Sequence, residues 1–341
     1  MKIIVDAMGG DNAPGAVVAG SVEALSKYGV EIILVGRVED ILRALHEAGE
    51  REVPRGIEIM PADDVIDMHD DPVAAIRTKR GASMVVALEA LKNGTGQAVV
   101  SAGSTGALLT GATLIVKRVR GIRRAAVAPI IPSKSGGAVV IDSGANLDCT
   151  AEQLLQFAYM GAYYAEDELG IANPRVGLLN NGAEETKGGK LQLETYALLQ
   201  KAGAEGRLNF VGNVEARDPI TGGCDVVVCD GFSGNILIKA SEGVVSFLFS
   251  ELREVFAKNI LTKLAAALVR FGLKKLRAKA NPDTVGGVIM LGISKPVIKA
   301  HGSSGAGAIS SAIGKAKRAA ESRVAEKLQE NIDSLKLEDE K

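Results

Sequence analysis

The chain has 341 residues, of which 47% are apolar and 24% are charged, and its formal net charge is only −1. This composition is typical of a globular protein with a sizeable core, in one large domain or two lobes. The near-neutral charge argues against general nucleic-acid binding. Glycine is abundant at 40 residues while aromatic residues make up only 4%, which favours an α/β fold with many loops over a base-stacking RNA module.

The number and spacing of the cysteines, together with the hydropathy, predict the cellular compartment of the protein. The three cysteines, Cys149, Cys224 and Cys229, are odd in number and lack the spacing of a zinc site, and no secretory signal pattern is visible. We therefore expect a reducing, cytoplasmic compartment, with Cys229 as a buried core thiol. No apolar run approaches the roughly 20 residues that span a bilayer, so we expect any membrane contact to be peripheral.

Strand-like and helix-like segments alternate along the chain. In chain order the predicted elements are a strand at 2–7, a helix at 14–27, a strand at 31–35, a helix at 40–48, a strand at 57–60, a helix at 83–91, a strand at 98–100, a helix at 105–116, strands at 125–131 and 138–141, a helix at 151–169, a strand at 175–179, a helix at 189–201, strands at 208–211 and 225–229, helices at 233–249 and 251–278, and a long helix from 305 onward. Apolar runs such as 226–228 do not alternate with polar residues, which indicates strands buried on both faces. The pattern predicts a mostly parallel, doubly wound sheet in a single α/β domain over 1–341.

Small, polar, glycine-containing loops follow five of the predicted strands, and a sixth loop comes late in the chain. The loops cover residues 6–11, 101–107, 142–146, 180–188, 230–235 and 301–305. Because ligands of open α/β sheets bind at the carboxyl ends of the strands, we expect the loops to share one polar cleft. The candidate phosphate- or substrate-binding residues are Asp6, Gly9, Gly10, Asp11, Ser101, Gly103, Ser104, Thr105, Gly106, Asp142, Asn146, Asn181, Glu184 and Ser233.

The loop at 101–106 has the strongest independent chemistry. Its glycines let backbone N–H groups approach an anion, its hydroxyls add donors, and the helix that follows favours negative charge at its start. The alternative is a tight turn with a Ser or Thr helix cap. Neither G-x-x-x-x-G-K-[ST] nor a properly placed G-x-G-x-x-G occurs, so a phosphate-sized anion fits better than a dinucleotide.

Four side chains in the loops are catalytic candidates. Lys187 could neutralise a phosphate or polarise a carbonyl, or it could be a surface lysine paired with a nearby glutamate. Asn235 could orient an oxygen and Asp230 could position a partner, although both could instead cap the helix that starts near residue 233. His301, in a Gly-Ser loop, could act as an acid or base. No metal-ligand spacing is present.

Five of these motifs, taken in order, resemble the bacterial phosphate acyltransferases of phospholipid synthesis. They are VDAMGGD at 5–11, SAGSTGA at 101–107, DSGAN at 142–146, NGAEETKG at 181–188 and CDGFSGN at 229–235. The resemblance covers essentially the whole chain. It departs at Asn12, where many relatives have His, and this puts in doubt only a role for that side chain.

The resemblance implies transfer of a long-chain acyl group from an acyl carrier protein thioester to inorganic phosphate, giving acyl phosphate for phosphatidic acid synthesis. It also implies a homodimer without cofactor or metal, and a three-layer α/β/α fold similar to isocitrate dehydrogenase-like and phosphotransacetylase-like enzymes. We expect phosphate held by loop 101–106 to attack the thioester directly. Lys187 and Asn235 would stabilise negative charge, His301 or Asp230 would assist orientation, and a membrane glycerol-3-phosphate acyltransferase would receive the product.

Residues 251–279, hereafter the basic segment, stand out from the near-neutral chain because eight Lys or Arg residues face only two Glu. We predict an amphipathic helical hairpin over 250–280, with a break near Gly272. Its apolar residues recur at spacings of three and four and define one helical face. They are Leu252, Val255, Phe256, Ile260, Leu261, Leu264, Leu268 and Phe271.

Three interpretations of the basic segment remain open. It could form an ordinary surface or dimer-interface helix pair, lie on an anionic membrane, or dock the acidic acyl carrier protein. A basic, apolar hairpin tip favours the last two, which are compatible, so we expect peripheral membrane association. The predicted contact residues are Leu264, Leu268, Lys263, Arg270, Lys274 and Lys275.

Other functions compete with the one that the resemblance implies. A phosphotransacetylase-like enzyme would use coenzyme A as the acyl carrier, and a non-catalytic, membrane-associated scaffold could keep the same fold. A dehydrogenase is disfavoured because no dinucleotide fingerprint is present.

Overall fold

The strands divide between two sheets rather than forming one. The computed structural model describes residues 1–280 and 286–331, without the side chains of residues 275 and 277–280. The predicted contact residue Lys275 therefore has its side chain outside the described part. Within those ranges the first sheet contains seven strands, in the spatial order β3 (Ile57–Pro61), β2 (Glu31–Gly36), β1 (Lys2–Asp6), β4 (Ala98–Ser101), β12 (Val297–Lys299), β11 (Val288–Leu291) and β5 (Ala126–Ala128).

The second sheet is smaller and is also mostly parallel. In the described part of the chain its spatial order is β6 (Ile130–Ile131), β7 (Ala138–Ile141), β10 (Val226–Val228), β8 (Arg175–Leu179) and β9 (Asn209–Val214). Only β6 runs antiparallel to its neighbour in this sheet. In the first sheet β3, β2, β1, β4 and β12 are parallel, whereas β11 is antiparallel to both of its neighbours.

Helices cover both faces of the sheets. They are α1 (Gly15–Tyr28), α2 (Val38–Glu47), α3 (Pro72–Thr78), α4 (Ser83–Lys92), α5 (Thr105–Gly111), α6 (Ala151–Leu169), α7 (Lys190–Ala204), α8 (Asp218–Thr221), α9 (Gly231–Ala257), α10 (Ile260–Ala280), α11 (Ala306–Glu321) and α12 (Val324–Glu330). Successive residues of β1 show the layering, because Ile3 packs into the core shared with α1 and α11 while Ile4 packs into the core shared with α4. The second sheet packs against α6 on one face and α9 on the other.

The run predicted as one strand at 125–131 is divided at Pro129. Residues 126–128 pair with β11 in the first sheet, and residues 130–131 pair with β7 in the second. Proline has no backbone N–H and cannot donate to a ladder, so the strand ends there in one sheet and restarts in the other. This crossing places the ends of the two sheets beside each other.

The predicted break near Gly272 is wrong. Helix α10 is continuous through Gly272, and the chain instead turns at residues 258–259, between α9 and α10. Asn259 and Thr262 explain the position of the turn, because each side chain accepts a hydrogen bond from the backbone N–H of the other, at 2.9 and 3.0 Å. This pairing caps the start of α10, whereas a glycine inside a helix costs only about 1 kcal/mol.

A substitution at Asp142 measures how much the stability of the fold depends on its buried carboxylate. Its oxygens accept from the backbone N–H groups of Val127, Ser143, Ala145 and Asn146. We predict that Asp142→Ala lowers the free energy of unfolding by about 3 kcal/mol or more, because it leaves buried donors unpaired. Chemical denaturation measures the loss. Asp148→Ala, at an exposed position of the same loop, should change it by less than about 0.5 kcal/mol. Equal effects of the two substitutions would contradict this account.

Candidate active site

The first sheet brings three of the predicted loops together. Strands β1, β4 and β12 are adjacent and parallel, so the loops that follow them lie at the same edge. Backbone hydrogen bonds join these loops directly. Asp11 N donates to Gly302 O at 2.8 Å, and Ala300 N donates to Ser101 O at 2.9 Å.

Asp6 lies behind these loops and holds them in place. It is 1% exposed, and the hydroxyls of Ser83 and Ser101 each donate to its carboxylate at 2.6 Å. Burial raises the pKa of the Asp6 carboxyl above its ordinary value, and the two serine hydroxyls offset part of that rise. A side chain on Gly9 would lie 2.6 Å from Asp6 Oδ2 and 2.7 Å from Gly103 N, so only glycine fits there. Gly10, at φ +103°, continues this turn.

The loop at 101–106 has a buried and an exposed part. Ser101 Oγ accepts from Gly103 N at 3.1 Å, and Ser104 Oγ caps α5 by accepting from Ala107 N at 3.5 Å. Both serines and Gly103 are buried, whereas Thr105 and Gly106 are exposed. The helix-cap alternative therefore describes Ser104, and Thr105 is the hydroxyl of this loop that faces open space.

Asp142 organises the second sheet's loops as Asp6 organises the first sheet's. It is fully buried, and Asn146 donates to it through both its backbone and its side chain, at 2.6 and 3.1 Å. Burial raises the pKa of Asp142, against the opposing effect of these N–H donors. A side chain on Gly234 would overlap the backbone oxygen of Asp142, and one on Gly231 would lie 2.7 Å from its carboxylate. The start of α9 therefore packs directly onto the 142–146 loop.

The candidates near the start of α9 have different surroundings. Asp230 caps α9, since its carboxylate accepts from Ser233 N at 2.8 Å and from Ser233 Oγ at 3.0 Å. Asn235 is exposed and stands beside Gly144, where an added Cβ would lie 3.8 Å from the amide oxygen of Asn235. Cys229 is buried, as expected, and its thiol donates to Asp142 O at 3.3 Å.

The loop at 180–188 follows β8, the neighbour of β10, and its predicted site residues are exposed. Lys187 forms no ion pair with any described residue, although its aliphatic chain packs near Gly182 together with the Glu184 carboxylate. The loop is fixed by its backbone, because Asn180 Nδ2 donates to Lys187 O at 3.1 Å and Asn213 Nδ2 donates to Glu184 O at 2.8 Å. Asn181 is exposed as well.

A cleft of about 1390 Å³ lies between the loops of the two sheets. Its polar side chains come from both, and they include Asp11, Thr105, Lys299 and His301 from the first sheet and Ser143 and Asn235 from the second. An apolar wall, formed by residues 127 and 129–132 and by apolar side chains of α9 such as Ile238, Val245 and Phe249, completes it. Asn181, Glu184 and Lys187 do not line the cleft, and Asp6, Ser101, Asp142 and Asn146 support its walls from behind. Such a cleft can hold a small anion beside a long apolar group.

Lys299 is the cleft residue that the sequence pattern did not reveal. It ends β12, a strand that was not predicted, and it is only 8% exposed. Burial lowers the pKa of Lys299 to about 8, while the charges of Asp11 and Asp6 act in the opposite direction. A lysine flanked by apolar residues and followed by a glycine-containing loop was the available signal, but the sequence could not show its burial.

His301 lies in the cleft with an exposed ring. Ser303 N donates to His301 Nδ1 at 3.3 Å, and Ser303 Oγ lies 2.9 Å from the same nitrogen. Asn12 steadies this loop, because its side-chain amide donates to Ser303 O at 3.0 Å. The described residues contain no group of three or more His, Cys, Asp and Glu side chains that could hold a metal ion.

Solved structures of a phosphotransacetylase and of a phosphotransacylase have a similar fold. A phosphotransacetylase from Streptococcus pyogenes matches with a TM-score of 0.63 at 20% identity, covering 94% of each chain. A branched-chain phosphotransacylase from Enterococcus faecalis V583 matches with a TM-score of 0.56 at 15% identity, covering 94% of this chain and 100% of the other. These likenesses confirm the predicted three-layer α/β/α fold with mostly parallel sheets.

Sequence comparison is more specific than the fold. A family model described as fatty acid synthesis protein matches residues 1–327. A phosphate acyltransferase from Caldanaerobacter subterraneus subsp. tengcongensis is 45% identical over 334 residues, which cover 98% of each chain. A phosphate acyltransferase from Brevibacillus brevis is 44% identical over 339 residues, which cover 99% of each. The chain therefore belongs to the phosphate acyltransferase family, and it is an acyltransferase.

Proposed function

We propose that this enzyme transfers a long-chain fatty acyl group from an acyl carrier protein thioester to inorganic phosphate, forming acyl phosphate for phosphatidic acid synthesis. The observation that carries the proposal is the cleft itself. Polar side chains of both sheet edges meet there beside an apolar wall, which suits one small anion and one acyl chain. Membership of the phosphate acyltransferase family supports the same pair of reactants.

The proposed step is a direct displacement. An oxygen of phosphate attacks the thioester carbonyl carbon, negative charge develops on the carbonyl oxygen, and the C–S bond then breaks. The sulfur leaves as thiolate and takes up a proton, so the products are acyl phosphate and the free thiol of the carrier. Holding the two reactants side by side in one cleft would supply much of the rate enhancement.

The two walls of the cleft would have different roles in the reaction. On the first-sheet side, loop 101–106 would hold phosphate through Thr105 and its exposed backbone. On the second-sheet side, Asn235 would donate to the developing oxyanion, with Asp230 fixing the start of α9 on which Asn235 stands. His301 lies close enough to the phosphate side to assist orientation.

Lys187 would reach the reacting centre from the loop beside Asn235. Strands β8 and β10 are parallel neighbours, so their loops lie at the same edge of the second sheet. The Lys187 side chain is exposed and forms no ion pair with any described residue, which leaves its ammonium available to an oxyanion. Because Lys187 does not line the cleft, its side chain would have to change conformation to enter it.

The basic segment would serve the carrier and the membrane. Arg253 and Lys274 line the cleft, so an acidic carrier protein docked there would present its thioester directly to the site. Leu264, Leu268, Lys263 and Arg270 are exposed on α10, which suits contact with an anionic membrane. No helix among the described residues could cross a bilayer. We include in the proposal a homodimer and delivery of product to a membrane glycerol-3-phosphate acyltransferase.

The donor is tested first, in a turnover assay with and without phosphate. We predict phosphate-dependent formation of acyl phosphate from the acyl carrier protein thioester, and a lower kcat/KM with acyl-coenzyme A. A preference for acyl-coenzyme A would instead support a phosphotransacetylase-like activity. Absence of acyl phosphate with either donor would overturn the proposed function.

Lys187→Ala tests charge stabilisation. We predict a fall in kcat of about 100-fold, the loss expected when one donor to an oxyanion is removed. Lys190→Ala is the matched control, because Lys190 is an exposed lysine just beyond the loop. If Lys187→Ala keeps near-normal turnover, the proposed role of Lys187 is wrong.

Liposome flotation tests the membrane contact. Leu268 is 84% exposed and Leu264 is 58% exposed, so the double substitution Leu264→Glu, Leu268→Glu should leave the fold intact. We predict that it strongly reduces flotation with anionic vesicles, because it puts charge on the face that would enter the lipid. Leu42→Glu, at an exposed leucine of α2, should leave flotation unchanged. Flotation of the double variant at the wild-type level would count against lipid contact.

A further inference from the structure

Lys299 stands where the first-sheet loops meet. In the parallel pairing of β12 with β4, Lys299 lies opposite Ser101, the residue at which loop 101–106 begins. Its side chain lines the cleft together with Thr105 and His301. The ammonium is therefore fixed by regular sheet structure at the wall where the proposed function puts phosphate.

The ammonium group of Lys299 has unused hydrogen-bonding capacity. Among the described residues, its acceptors are two backbone oxygens, Ala102 O at 3.3 Å and Ala300 O. A lysine ammonium carries three N–H donors, so one is left without a partner in the protein. No carboxylate of the described residues forms a direct ion pair with it. The charges of Asp11 and Asp6 act on it only through space, and a buried charge without a direct partner is costly.

A comparison with Lys315 shows which feature of Lys299 is unusual. It is the other buried lysine of the described chain, and burial lowers its pKa to about 8 as well. Lys315 Nζ donates to Gly287 O at 2.9 Å and lies 5.8 Å from the centre of the Tyr164 ring, inside the packing of α11. It does not line the cleft. Burial is thus common to both lysines, but only Lys299 lines the cleft, whereas Lys315 contacts it only through the backbone of Gly287.

We infer that Lys299 binds the phosphate substrate, with its free N–H donating to a phosphate oxygen beside Thr105 and the phosphate supplying the ion-pair partner that the ammonium lacks. The inference rests on the proposed function and adds a residue to it. A tetrahedral oxyanion is the ligand class that fits, because the site offers one fixed cation, a hydroxyl and backbone N–H groups. Lys187 and Asn235 would then act on the thioester oxygen from the opposite wall.

The charged surroundings of Lys299 set its pH dependence. Asp6 faces it from the end of β1 and Asp11 from the loop that follows, and His301 follows it after β12. Across the cleft, α9 contributes Lys239, Glu242 and Arg253 to the lining, and α10 contributes Lys274. The ammonium loses its proton as pH rises through a pKa of about 8, so phosphate binding should weaken in that direction. Phosphate loses protons over the same pH range and becomes more negative. A more negative anion would not bind a cation less well, so this change cannot cause the weakening.

The test is phosphate binding by isothermal titration calorimetry on the full chain, followed by kinetics. We predict that Lys299→Met raises the Kd and the KM for inorganic phosphate about 10- to 100-fold, the effect of losing one charged hydrogen bond. The KM for the acyl donor should stay within about twofold. Lys315→Met, the matched loss of a buried ammonium from a residue that does not line the cleft, should leave the phosphate Kd within about twofold of wild type.

Two outcomes would overturn the inference. The first is an active Lys299→Met enzyme with unchanged Kd and KM for phosphate, and the second is an equal loss in Lys315→Met. If Lys299→Met does not fold, the pH profile of Lys315→Met decides. This variant lacks the other lysine whose pKa is lowered to about 8, and its kcat/KM for phosphate should still fall as pH rises through about 8. A flat profile there would contradict the inference. Lys299-dependent phosphate binding without acyl phosphate formation would leave the inference standing and would refute the proposed function.

Discussion

The buried carboxylate of Asp142 joins the two sheets, because one oxygen accepts from Val127 N of β5 at 2.9 Å while the other accepts from Ala145 and Asn146 in the loop after β7. The first contact belongs to the larger sheet and the second to the smaller one. The start of α9 packs onto the same residue through Gly234. Since Asn235 follows directly, the position of the amide in the cleft depends on Asp142 being buried and fully hydrogen-bonded.

Asp6 plays the matching part in the first sheet, where it gathers Ser83 and Ser101 behind the loops. Two strand-end carboxylates therefore build the two walls, and neither lines the cleft. In the proposed reaction, the groups left for chemistry are exposed or cleft-lining neighbours of these carboxylates, Thr105, Lys299 and His301 on one side and Asn235 and Lys187 on the other. Most side chains of these motifs therefore hold the loops in position, and only a few of them are placed where they can touch a substrate.

Much of the fold could be predicted, because the buried parts of strands such as β2 and β10 are unbroken apolar runs and α6 has a clear cap at Thr150. The errors in the predicted strands arose because strand pairing depends on residues that are distant in sequence. Pro129 divides one apparent strand between two sheets. Strands β11 and β12 lie in a stretch interrupted by Gly292 and Pro296, and only their pairing with neighbouring strands reveals them. The hairpin turn was misplaced since a glycine is a weaker signal than the reciprocal cap of Asn259 and Thr262. The loops of the site could be predicted from their composition, but which side chains are buried could not. Lys299 was missed for that reason.

We propose that phosphate and the acyl group meet in the cleft between the two sheets, and a crystal structure of the protein with inorganic phosphate tests this arrangement. We expect phosphate density in the cleft, within hydrogen-bonding distance of Lys299 Nζ and Thr105, with Asn235 on the facing wall. Phosphate bound instead at the exposed 180–188 loop, with the cleft empty of it, would show that the proposed arrangement is wrong.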